Sequence, residues 1–68
     1  MNQNLSQKEI GQRIAELRHL KGLSQDELAN EVALSRSSLA QIELGNRKLN
    51  VLELQSISNV LGLSLIHI

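Results

Sequence analysis

The chain has 68 residues, with seven Lys and Arg against seven Asp and Glu for a formal net charge of zero, 41% hydrophobic residues, and no Phe, Tyr, Trp, Pro or Cys. A chain this short supports one domain, burying roughly 60% of the surface that its unfolded form exposes, which argues against an enzyme with a cofactor site. Lacking cysteine it has neither a disulfide framework nor a thiolate metal site, so a cytoplasmic location is expected. No apolar run approaches the roughly 20 residues that span a bilayer, and MNQNLSQKEI has neither the basic start nor the apolar stretch of a signal peptide.

Helix starts are marked clearly. Ser6 with Glu9, Ser24 with Glu27 and Asn50 with Glu53 each fit or approximate a capping box, in which a side-chain oxygen and a carboxylate satisfy backbone N–H groups reciprocally. The first helix is expected from about Lys8 to Lys21, with Ile10, Ile14, Leu17 and Leu20 as its apolar stripe and Gly22 as its cap. A second, short helix follows in SQDELANEV, with Leu28, Ala29 and Val32 on one side. Ser35 then caps a third helix from about Arg36 to Leu44, stopped at Gly45-Asn46, and Arg47 and Lys48 follow in an exposed basic turn. Asn50 opens a fourth, in which Leu54, Ile57, Val60 and Leu61 recur at spacings of three and four up to Gly62. The segment LSLIHI (63–68) alternates only partly and fits a strand buried on both faces, with a helix extension as the alternative.

The third helix has two unlike faces. Leu39 and Ile42 suit a core, whereas Ser35, Arg36, Ser37, Ser38 and Gln41 carry hydrogen-bonding groups and one positive charge. The neutral total conceals a related asymmetry. Residues 8–22 carry Lys8, Arg13, Arg18 and Lys21, and residues 35–50 carry Arg36, Arg47 and Lys48, while Asp26, Glu27 and Glu31 concentrate in 23–34. Two modestly basic segments are thus available to form one face.

Two short helices joined by three or four residues describe a helix-turn-helix. From Ile10 to Leu65 the sequence resembles the phage-repressor-like (Cro/CI, or Xre) family, on the strength of GLSQDELA, small Ala29 between the motif helices, apolar Leu39 and Ile42, IELG followed by basic residues, and LGLSL. The resemblance implies an all-α, compact four-to-five-helix, lambda-repressor-like DNA-binding domain spanning 1–68, with the motif at about 24–44. It implies a structural ion pair between Arg18 and Glu43, and a Gln25 that braces the phosphate backbone. Arg47 and Lys48 fall in the loop that follows the recognition helix along the DNA. Side-chain chemistry makes Arg36, Ser37 and Gln41 the base-reading candidates, because Arg addresses guanine, Gln adenine and Ser either. Ser24 and Ser35, as N-caps, direct free N–H groups toward phosphate, and Ser38 joins them as a backbone candidate.

Departures from the family pattern are Ala33, where the motif turn usually has Gly, Leu49 in place of a common Pro, and the ending. Ala33 is expected to strain a left-handed turn by about 1 kcal/mol. The family generally continues into a short fifth helix, whereas LSLIHI resembles the tail of Hip-type antitoxins, a strand that pairs with its copy in a second subunit. Leu63, Leu65, Ile66 and Ile68 are accordingly the dimerisation candidates, a docked monomer tail being the rival reading.

The expected function is sequence-specific repression, foremost by an autoregulating antitoxin that binds a palindromic operator in double-stranded DNA as a homodimer. The alternatives are a phage or restriction-modification controller, and a protein-interaction module that chiefly holds a partner such as a toxin. No cofactor or metal is expected, since His19 and His67 have no ligand-like companions at useful spacing. No Ser sits beside a His with a third orienting group, so catalysis is not expected either.

Overall fold

The computed structural model describes residues 6–62, in which the chain forms α1 (Gln7–Leu20), α2 (Gln25–Glu31), α3 (Arg36–Leu44) and α4 (Val51–Leu61). No strand occurs among the described residues. The expected strand and its residues Leu63, Leu65, Ile66 and Ile68 lie outside them.

All three capping boxes form, at Ser6/Glu9, Ser24/Glu27 and Asn50/Glu53. Ser35 caps α3 by accepting from the Ser38 N–H at 3.0 Å. A second regularity at the starts of α2, α3 and α4 is less obvious in the sequence. Each N-cap is preceded by a leucine (Leu23, Leu34, Leu49) and followed four residues on by another (Leu28, Leu39, Leu54), the spacing of a hydrophobic staple. All six leucines belong to the core or pack against it.

Helix ends are equally well defined. After α1 the Leu23 N–H donates to the Arg18 carbonyl and that of Gly22 to His19, a Schellman arrangement with Gly22 at φ +72°. The same pattern closes α2, where Leu34 donates to Ala29 at 2.9 Å and Ala33 to Asn30 at 3.5 Å, but the left-handed position is Ala33 at φ 58°. The turn between the two motif helices therefore holds an L-residue where glycine is at ease, as expected from the sequence. Ala33→Gly is expected to stabilise the fold by about 0.5–1 kcal/mol, because relief of strain outweighs the added freedom of the unfolded chain. An unchanged urea midpoint would show that the strain only matches that added freedom, and a lower midpoint that the turn is unstrained.

The core consists of Ile14, Leu28, Ala29, Leu39, Ile42, Ile57 and Leu61, so every helix contributes. In α1 the buried positions are Gly11, Ile14 and Arg18. Leu20, expected on the stripe, is 82% exposed, because the inward face continues from Ile14 to Arg18, a helical step of four. In α4 the stripe admits Ser58, whose Oγ is buried and has no hydrogen-bond partner among the described residues. Ser58→Ala removes that orphan hydroxyl and favours the helix, so a gain of about 1 kcal/mol is expected in thermal melts. A loss instead would mean that the hydroxyl is satisfied.

Candidate nucleic-acid interface

The α2–turn–α3 unit supplies a polar ridge on a rigid support. Leu39 and Ile42 are 0% and 1% exposed and pin the inner face of α3 to the core, while Arg36, Ser37 and Gln41 stand exposed on its other side. Ala29, 2% exposed, keeps the α2 side of the junction small.

Two close approaches aim α3. A Cβ added at Gly11 of α1 would collide with the Ile42 carbonyl oxygen and lie 2.8 Å from that of Glu43. At the end of α3, Gly45 adopts φ +84° with Lys8 against it, and Gln7 Nε2 donates to the Gly45 carbonyl at 3.3 Å. The first helix thus lies directly on the backbone of the last turn of α3, an approach available only where Cβ is missing.

Arg18 ties the same region together from inside. Its Nε donates to Glu43 Oε2 at 2.8 Å and its Nη2 to Glu43 Oε1 at 3.1 Å, with both side chains less than a tenth exposed. Its Nη1 donates to the Leu23 carbonyl at 2.9 Å, which fixes the chain just before α2. Glu43 Oε1 also accepts from Gln25 Nε2 at 2.9 Å. One carboxylate at the end of α3 therefore orients both the buried arginine of α1 and the first residue of α2. Gln25 is held in place by this network, and any contact it makes to phosphate uses what remains of its amide.

The exposed candidates have partners of their own. Ser35 Oγ donates to Ser38 Oγ at 3.0 Å, so those two hydroxyls chiefly serve the cap. Asn46 Nδ2 donates to Gln41 Oε1 at 3.2 Å, and the Gln41 amide nitrogen has no hydrogen-bond partner among the described residues. Arg36 approaches Asp26 at 3.9 Å across the helix starts, with both side chains about two-thirds exposed, a pair worth about 0–1 kcal/mol and readily opened. Arg47 instead forms a bidentate pair with Glu53, Nη1 to Oε1 at 3.1 Å and Nη2 to Oε2 at 2.9 Å. That hydrogen bonding holds the Glu53 carboxyl below its ordinary range and raises Arg47. Lys48 and Ser37 are exposed, and Ser24 Oγ accepts from the Glu27 N–H as a cap.

Such an arrangement, a short supporting helix, a tight left-handed turn and an outward polar helix, is the geometry that delivers side chains to a DNA groove. A family model described as a helix-turn-helix domain matches residues 11–66. The chain belongs to this helix-turn-helix family. It is a helix-turn-helix DNA-binding regulator of transcription.

Solved structures agree with this family. The restriction-modification controller protein C.AhdI from Aeromonas hydrophila is 34% identical over 85% of this chain and 88% of its own, with a TM-score of 0.81. Two structures of the clp gene regulator ClgR from Corynebacterium glutamicum are each 26% identical and cover 97% of this chain, with TM-scores of 0.87 and 0.86 and 70% and 85% of their own chains covered. No curated protein sequence matches the chain.

Four residues that shape this helix-turn-helix face escaped the sequence reading. Gly11 carries one legible signal, since a glycine inside a helix costs about 1 kcal/mol and calls for a compensating contact. Asp26, Asn46 and Glu53 act through folded geometry; Glu53 had an assigned part only as a capping residue and Asn46 only as part of the stop of the third helix. Among the described residues no three His, Cys, Asp or Glu side chains form a metal-ligating group, and no helix is long and apolar enough to cross a membrane.

Proposed function

We propose that the protein is a sequence-specific repressor that binds a palindromic operator as a homodimer, with α3 in the major groove. The observation that carries this reading is the exposed row Arg36, Ser37 and Gln41 on a helix whose other side is locked by Leu39, Ile42 and the Arg18–Glu43 pair. Lys48 touches phosphate beside it, and the N-termini of α2 and α3, capped by Ser24 and Ser35, approach the backbone. No catalysis is involved: an occupied operator excludes polymerase.

Selection of bound sequences from random duplexes tests the proposal. An enriched palindrome with half-sites about one helical turn apart, roughly 34 Å, supports both specificity and the dimer, whereas an unenriched pool overturns the reading. On the selected operator, Arg36→Ala or Gln41→Ala is expected to cost about 1–3 kcal/mol per half-site and to relax specificity at one position. Equal losses on operator and random DNA would remove the base-reading role.

Two settings suit such a repressor. Similarity to C.AhdI supports a controller of restriction-modification genes. The antitoxin reading rests on residues 63–68 and requires a toxin partner; a stable complex with the product of a neighbouring gene would support it, and none on co-expression would favour the controller.

A further inference from the structure

The three cations of α3 and its following loop are held very differently. Arg36 leans on Asp26 at 3.9 Å in a pair open to solvent. Lys48 is exposed. Arg47 lies in a two-pronged grip on Glu53 at 3.1 and 2.9 Å, with side chains only 36% and 17% exposed. Charge-assisted bonds to a carboxylate are stronger than neutral ones, and the two-pronged form adds geometric specificity as well as energy.

Glu53 is itself immobilised. It is the third residue of α4, where the helix dipole favours a carboxylate, and its Oε1 accepts from the Asn50 N–H at 3.2 Å. Its own N–H donates to Asn50 Oδ1 at 2.8 Å. The loop from Asn46 to Asn50 is thereby clamped at both ends, by Asn46 on Gln41 and by Arg47 on the start of α4.

We propose that Glu53 withholds Arg47 from the DNA backbone, making Arg47 a loop anchor and leaving Lys48 as the phosphate contact of this loop. Glu53 is then a positioning residue that sets how many counterions leave the DNA on binding. By keeping one arginine neutralised it holds down the sequence-independent part of the affinity, so that a larger share depends on Arg36 and Gln41. This inference rests on the reading above, in which the loop faces DNA.

The salt dependence of binding tests it, with a short random-sequence duplex as the probe. Each phosphate neutralised adds about 0.9 to the slope of log affinity against log salt. Lys48→Ala is expected to make the slope shallower by about 0.9, and Arg47→Ala to leave it unchanged. Glu53→Gln keeps the capping chemistry of α4 but removes the charge that holds Arg47. It is expected to steepen the slope by about 0.9, an extra loss of about 3.5-fold between roughly 50 and 200 mM salt. The double variant Glu53→Gln/Arg47→Ala returns to the wild-type slope. A shallower slope for Arg47→Ala, or an unchanged one for Glu53→Gln, overturns the proposal even with Lys48→Ala behaving as expected. If Lys48→Ala also leaves the slope unchanged, the loop does not face DNA, and the DNA-facing reading of the loop fails with the proposal.

Discussion

Gly11→Ala is expected to destabilise the domain by about 2–3 kcal/mol and to lower its Tm by roughly 10–20 °C. The added methyl has nowhere to go. It would meet the carbonyl oxygens of Ile42 and Glu43 and the Glu43 carbonyl carbon at 2.9 Å, all backbone atoms of a helix that cannot move a side chain aside. Alanine has the better helix propensity by about 1 kcal/mol, so any net loss measures a clash larger than that gain. A chain of this size has about 3–10 kcal/mol in total, and the substitution therefore removes a large share of it. The effect on DNA binding is expected to exceed that of an equally destabilising core change such as Ile57→Val with a second truncation, because the clash separates α1 from the end of α3 and tilts the reading helix. Thermal melts followed by binding at a temperature where each variant is folded separate the two effects. A Tm within about 2 °C of wild type would show that α1 and α3 part easily enough to admit the methyl.

The contrast between Gly11 and the capping boxes shows what a sequence of this kind makes legible. Helix starts are local: Ser6, Ser24, Ser35 and Asn50 each act within three residues, so spacing alone identifies them. The left-handed turn at Ala33 was legible because the motif demands it whatever residue is present. Apolar periodicity gave Ile14, Leu28, Leu39, Ile42, Ile57 and Leu61 correctly, yet placed Leu20 inside, because hydrophobicity ranks leucine above arginine. Helical phase instead puts Arg18 in the interior, where a carboxylate 25 positions away makes its burial tolerable. Ser58 is the same error in α4, a polar residue carried inward by its phase. In the candidate interface, side-chain chemistry singled out Arg36, Ser37 and Gln41, all of which stand outward on α3. Spacing could not reveal which cations are already engaged, since Asp26 meets Arg36 and Glu53 meets Arg47 only after the turn and the loop have closed. Exposed Val51 and Leu52, at 77% and 74%, likewise owe their position to the phase set by Asn50.

Glu43→Ala is expected to produce the largest loss of all, about 3–5 kcal/mol, because it strands a buried guanidinium. Arg18 would lose both carboxylate contacts, at 2.8 and 3.1 Å, and keep the Leu23 carbonyl, while Gln25 would lose its acceptor. Each stranded group keeps one neutral partner, so Arg18→Met alone should cost less than Glu43→Ala because Met refills most of the volume of the arginine stem whereas Ala also leaves a cavity. Replacing both, as Arg18→Met with Glu43→Leu, removes the uncompensated charge from either side and is expected to be milder than Arg18→Met or Glu43→Leu alone, with a coupling of about 2 kcal/mol or more in the double-mutant cycle of those two changes. Single variants that are unfolded while the double variant is folded would carry the same message. Additive losses would mean that the two charges do not depend on one another. The double variant also separates stability from function. It keeps the hydrophobic contacts that hold α3 but frees Gln25, so its affinity for the selected operator should fall although its fold is intact. Wild-type affinity in that variant would reduce the Arg18–Glu43–Gln25 network to structural support and leave the approach to phosphate to the helix N-termini and Lys48.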